Sequence, residues 1–254
     1  MNTLNATVKM GRFLALAGLV AFSVTSCNLL PDDEDPVAAT DPASNPPTPT
    51  FEVGSGTLAA VKTITTFDPG FGVPVQEITL GLGSAGFTDG ADYSNLIDAG
   101  VVTLEGESLD KFDNNAYATQ PSQTNPTGID FSGNPSWDVS GSANVPAFTH
   151  TTSIGFPTLG TITSSTSIPS SGDYTLTVTN VSGADSVYFM LGGVIHIEEG
   201  TATSSTFTEA EIDGMGSGAS FAQVAPYRFE MATKAGKDYY FVTEAVKTQS
   251  VTIE

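Results

Sequence analysis

Few side chains in this chain could do acid–base, metal or nucleophilic chemistry. The histidines are His150 and His196, and neither belongs to a ligand-spaced cluster of the kind zinc requires. No GxSxG elbow is present, so a nucleophilic serine would have to be assembled from distant residues. His196 and Glu198 fall on one face of a strand and read as a surface ion pair. Gly81, Gly83 and Gly86 satisfy the spacing GxGxxG. That fingerprint works only where the last glycine opens a helix facing a pyrophosphate, and the residues after Phe87 are turn-like, so no dinucleotide cofactor is expected. Carboxylates are the abundant resource, 28 in all. Asp89 and Asp92, or Asp110 and Asp113 beside Asn114 and Asn115, are candidate oxygen ligands for calcium. Neither pair has the spacing of a calcium loop, so no metal is expected. A glycosidase needs two carboxylates across a cleft, and the sequence singles out no pair. Aromatic platforms for a sugar are equally scarce. Trp137 and Val139 alternate with Asp138, which places the ring on the apolar side of a strand and leaves the loop residues Tyr93 and Tyr117 as candidate ligand-binding aromatics. The expectation is a chain without cofactor and without catalysis.

The lone cysteine asks for a different account. Lys9 and Arg12 precede an apolar run from Phe13 to Val24, with small residues after it, the three parts of a secretory leader in order. A stretch of that length is too short for a membrane-spanning helix, which needs about 20 residues. Val24, Thr25, Ser26 and Cys27 resemble the lipobox of bacterial lipoproteins. The resemblance implies a signal peptide over 1–26, cleavage before Cys27, and acyl chains on its thiol and its new amine. Each buried methylene contributes about 0.8 kcal/mol, and one chain alone binds only reversibly, so several chains hold a protein on the membrane.

Two of the eight basic residues precede Cys27 and all 28 acidic ones follow it, which leaves the remainder with a net charge of −22. A field of that sign repels phosphate backbones, so nucleic acid is not an expected partner. With no second cysteine there is no internal disulfide, and burial alone must hold the fold. Residues 27–50 begin with the lipidated cysteine and the acidic run Asp32, Asp33, Glu34 and Asp35, then become rich in Pro, Ala, Thr and Ser. Such a composition builds no core; extended, it spans roughly 70 Å at about 3.1 Å per residue. The acidic run so close to the cysteine resembles the export signal of surface lipoproteins of the Bacteroidota. The resemblance implies an outer-membrane protein facing the cell exterior.

From Phe51 onward the pattern is β: alternating Thr and Val punctuated by Gly, Pro and Asp. The Gly192-Gly193 pair predicts a two-residue hairpin turn joining Ser186–Leu191 to Val194–Glu199. Its register sets Tyr188, Met190, Ile195 and Ile197 on one face, the core candidate, and Phe189, His196 and Glu198 on the other. Tyr174, Leu176 and Val178 alternate with threonines as a half-buried strand does. Thr208 and Glu211 have the spacing of a capping box and predict one short helical turn. The fold class expected is an all-β sandwich: a β-rich unit over 51–160 and a second over 161–254. About seven strands in the latter resemble an immunoglobulin-like or fibronectin type III-like sandwich. Residues 98–104 with Tyr117, Trp137 and Pro146 are similar to bacterial surface proteins that join such a unit to a C-terminal sandwich. Together these readings lead to a lipid-anchored, non-enzymatic surface protein with an interaction or envelope-structural role. The alternatives are a glycan-binding accessory lipoprotein of a polysaccharide-uptake system and, behind it, a carboxylate-based glycoside hydrolase. The expected partners are the membrane, through the N-terminal lipid, and a glycan or protein ligand.

Overall fold

The computed structural model describes residues 54–67, 76–89, 95–122 and 125–254. Cys27 with Val24, Thr25 and Ser26, the run Asp32, Asp33, Glu34 and Asp35, and the loop residues Asp92 and Tyr93 lie outside the described residues.

The chain folds as an all-β sandwich. Two 12-residue strands, β1 (Gly56–Phe67) and β2 (Gln76–Phe87), come first. Short strands follow: β3 (Val102–Leu104), β4 (Glu107–Ser108), β5 (Asp110–Lys111), β6 (Tyr117–Ala118), β7 (Ser136–Val139) and β8 (Phe148–Thr151). Beyond them lie β9 (Thr158–Leu159), β10 (Ser167–Ile168), β11 (Tyr174–Thr177), β12 (Val181–Ser182), β13 (Ser186–Leu191), β14 (Val194–Glu199) and β15 (Ser204–Phe207). A five-residue helix, α1 (Glu209–Asp213), leads to the strands β16 (Gly218–Lys234) and β17 (Lys237–Ile253).

One nine-stranded sheet organises the molecule, in the order β14-β13-β16-β17-β1-β2-β6-β5 with β10 also beside β17. Its spine is the β16–β17 hairpin, 17 residues on each side, about three times the common strand length. Ala235 and Gly236 turn it, both at positive φ, as a type I′ two-residue turn requires. The edge of β17 opposite β16 is shared. β1 runs parallel to it from Gly56↔Tyr239 to Ile64↔Lys247, and β10 pairs with it further on, at Thr252 and Ile253. Strands from both sides of Thr161 therefore share this sheet.

Period-two alternation sends the residues of these strands to opposite faces. On the inner face, Leu58, Phe87, Tyr239 and Phe241 pack with Val102, Leu104, Trp137 and Val139 of the β4-β3-β7-β8 sheet, forming a first core. Further along the same face, Val224, Ala245, Val251 and Ile253 pack with Leu159, Leu176, Val181 and Phe207 of the small β9-β12 and β11-β15 sheets, a second core. The outer face carries a third cluster: Ala59, Val61, Leu82, Tyr188, Ala225, Tyr227, Val242 and Val246.

The β13–β14 hairpin has the register expected of its turn, Tyr188↔Ile197, Phe189↔His196 and Met190↔Ile195. Both its faces are used: Val187, Phe189 and Leu191 enter the second core while Tyr188 joins the outer cluster. The GxGxxG residues all lie within strand β2. Gly81 serves close backbone approach. Its carbonyl accepts from Ile129 N–H at 2.8 Å and its N–H donates to Thr127 O at 2.9 Å, while a Cβ there would sit 1.7 Å from Ile129 O.

Candidate functional site

The polar chemistry of the described residues gathers in two histidine clusters and one tyrosine loop. His150 is on β8 and faces the spine of the large sheet. Its Nε2 lies 2.6 Å from Glu230 Oε1 on β16, and its ring packs against Phe241 with centroids 4.0 Å apart and planes tilted by 39°. Glu230 is closed by a second partner, since Ser153 donates from its backbone N–H at 3.0 Å and from its hydroxyl to Oε2. Burial by itself would raise the Glu230 carboxyl. The Ser153 and His150 hydrogen bonds outweigh it and hold the group below its ordinary range. The arrangement staples the four-stranded layer to the nine-stranded sheet.

His196 occupies the inner side of edge strand β14. Its ring lies nearly parallel to Phe207, centroids 4.4 Å apart and planes 13° apart. Nδ1 is 3.0 Å from Ser205 Oγ on β15 and Nε2 is 2.9 Å from Glu211 Oε1 on α1. Ser205 Oγ in turn reaches Glu198 Oε1 at 2.7 Å. The carboxylate facing the ring is thus Glu211, and Glu198 reaches His196 through the serine. The capping box read from the sequence is what delivers Glu211. Thr208 N–H and Oγ1 both donate to its Oε2, at 2.8 and 2.9 Å, and it sits at the third position of α1. Burial pushes its carboxyl up, but the His196 and Thr208 bonds prevail and its pKa is lowered.

Tyr117 holds a loop. Its ring is 2% exposed and packs edge-on to Phe87, centroids 5.9 Å apart. Its hydroxyl accepts from Ala99 N–H at 2.9 Å, and its own proton faces Asp98 Oδ1 at 2.9 Å and Gly100 O at 3.0 Å. Burial pushes the phenol up to about 12. Hydrogen bonds from Gly100 N–H, Tyr117 and Lys111 hold Asp98 below its usual value. A sugar stacks on an open ring face, and Tyr117 offers none. Trp137, 1% exposed, is in the first core. Asp89, Asp110 and Asp113 are exposed. Among the described residues no three His, Cys, Asp or Glu side chains converge as metal ligands would.

Sequence reasoning named both histidines but missed Ser153, Glu230 and Ser205. The partner of His150 is 80 residues away, and no local pattern announces such a pairing. For His196 a signal existed. A capping-box glutamate uses one carboxyl oxygen on the helix end and has another to spare.

No family model matches the chain, and no curated protein matches it. A solved structure concerned with host cell surface retention of a 1.5-MDa bacterial ice-binding adhesin is similar at 15% identity and a TM-score of 0.24. The similarity covers 79% of this chain and 65% of that one. At that score it carries no argument about fold or function.

Proposed function

We propose that this chain is a lipid-anchored, all-β protein of the outer membrane, displayed toward the cell exterior, with a non-catalytic interaction or envelope-structural role. The observation that carries the reading is the lone Cys27 placed directly after Val24, Thr25 and Ser26 at the end of a leader-like apolar run. The acidic run from Asp32 to Asp35 supports outward display through its resemblance to an export signal. The non-catalytic part rests on how the reactive side chains are spent. His150 and His196 are tied to glutamates and packed against core phenylalanines, which is the work of fasteners between layers.

The test is metabolic labelling with a palmitate analogue, followed by fractionation and protease shaving of intact cells. The wild-type chain should take up label and be digested from outside. Cys27→Ser should abolish labelling and release the protein, and Asp32 to Asp35 changed together to alanine should keep the label but become protected. Membrane retention of an unlabelled Cys27→Ser chain would refute the anchor.

A further inference from the structure

We infer that the His196 cluster is a one-proton clasp: it closes only when the imidazole carries protons on both nitrogens, and in closing it ties the β13–β14 hairpin to β15 and α1. Three contacts run in series, Glu198 Oε1 to Ser205 Oγ at 2.7 Å, Ser205 Oγ to His196 Nδ1 at 3.0 Å, and His196 Nε2 to Glu211 Oε1 at 2.9 Å. Each is a hydrogen bond only if one proton lies in it. Serine brings one, a neutral imidazole brings one, and ionised carboxylates bring none. A neutral ring therefore leaves two acceptors face to face at one of the three contacts. The third proton completes the series, and it goes to the imidazole, the strongest base among these side chains. Ser205 then donates to Glu198, and His196 donates from Nδ1 to Ser205 and from Nε2 to Glu211.

The other histidine shows that this is no general consequence of a His–Glu–Ser grouping. Among the described residues His150 is engaged through Nε2, and Ser153 brings its own protons to Glu230. A neutral imidazole protonated on Nε2 satisfies every contact there.

The charges around the His196 ring are carboxylates. Glu198 on its own strand and Glu211 on α1 flank it, and Glu209 and Asp213, exposed on the same helix, add negative charge without joining the series. β15 supplies Ser205 and the stacked Phe207 but no charge, and β13 places Phe189 opposite. The clasp is also shared with the helix end, because the second oxygen of Glu211 caps α1. Loss of the ring proton opens one contact of the series, and where it opens at Glu211 it loosens the join between an edge strand and the helix.

The experiment uses the full chain, selectively labelled for ring-nitrogen NMR, with amide exchange followed across a pH series. The expected result is that His196 carries two ring protons while amides of β14 and α1 are protected, and that one ring proton and this protection are lost together as pH rises. After correction for intrinsic exchange, protection should fall by up to tenfold per pH unit, the slope of one-proton linkage. Closure at β8 should not require a second proton on His150, because the Nε2–H form already satisfies its contact with Glu230. His196→Gln should remove the pH slope at β14 and α1 and leave that at β8 unchanged. A closed hairpin whose His196 carries one ring proton overturns the clasp, as does a His196→Gln chain that keeps the wild-type slope. Should His196→Gln not fold, the ring measurement on the wild-type chain decides alone.

Discussion

Glu244 lies on the outer face of β17 between Val242 and Val246, directly across from Tyr227, and is 2% exposed. Its Oε2 has no hydrogen-bond partner among the described residues, and the same holds for Thr63 Oγ1 and Ser84 Oγ on that face. A buried carboxyl without a donor is cheaper neutral than charged, and desolvation pushes Glu244 up from 4.5 to about 8. A folded pKa above the unfolded one contributes stability that is whole below the unfolded value and is lost as pH rises toward the folded value. Each unit corresponds to about 1.4 kcal/mol. Glu244→Gln should therefore gain on the wild type between pH 4.5 and pH 8, by about 3 kcal/mol near neutrality. Urea midpoints of both proteins at pH 4.5 and 7.5 give the measurement, and a difference that does not change with pH would sink the assignment. Tyr117→Phe tests the opposite case, a buried hydroxyl whose partners are in place. Removing it strips Ala99 N–H of its acceptor and should cost about 1–3 kcal/mol; an unchanged denaturation midpoint would mean that the 98–100 loop is held by something else.

Among the elements, those made of neighbours in sequence were legible and those made of distant strands were not. Gly192-Gly193 announces its hairpin because two residues between apolar runs leave one register, and that register is the one found. Thr208 and Glu211 announce α1 for the same local reason. The parallel pairing of β1 with β17 joins residues more than 180 positions apart. Nothing in GTLAAVKTITTF says which strand it will lie beside, because a threonine- and valine-rich strand fits any pleated neighbour. Tyr117 reads as a loop aromatic in sequence, since its burial depends on a 98–100 loop that folds back over its hydroxyl. The β16–β17 turn carries a non-glycine residue at positive φ. Ala235 holds φ 50 there, a left-handed conformation that costs an alanine about 1–2 kcal/mol and that asparagine tolerates. Ala235→Asn gives the Asn-Gly pair favoured by a type I′ turn. It should stabilise the protein by about 0.5–1 kcal/mol in thermal melts, whereas a lowered Tm would count against this turn geometry.

For the whole molecule, the long hairpin decides how the two cores behave. Tyr239 and Phe241 enter the first core and Ala245, Val251 and Ile253 the second, all from the same face of β17. Residues 54–159 supply most of the first core, and residues 159–253 supply the second. Two sandwiches joined by a flexible linker would unfold separately, each at its own midpoint. Here the first core cannot persist after β17 leaves, because Leu58 and Ala60 of β1 are held in register by Tyr239 to Val246. Loss of the second core removes the packing that keeps the far half of that strand in place. The single tryptophan, Trp137, reports on the first core alone. Leu176 is fully buried in the second core, and Leu176→Ala should cost about 2–5 kcal/mol from lost burial and the cavity left behind. If the hairpin couples the cores, this distant substitution lowers the urea midpoint seen by Trp137 fluorescence as much as that seen by far-ultraviolet circular dichroism, and the two transitions coincide. A Trp137 transition that stays at its wild-type midpoint while the dichroism signal splits into two steps would show that β16 and β17 carry strands across both halves without carrying cooperativity.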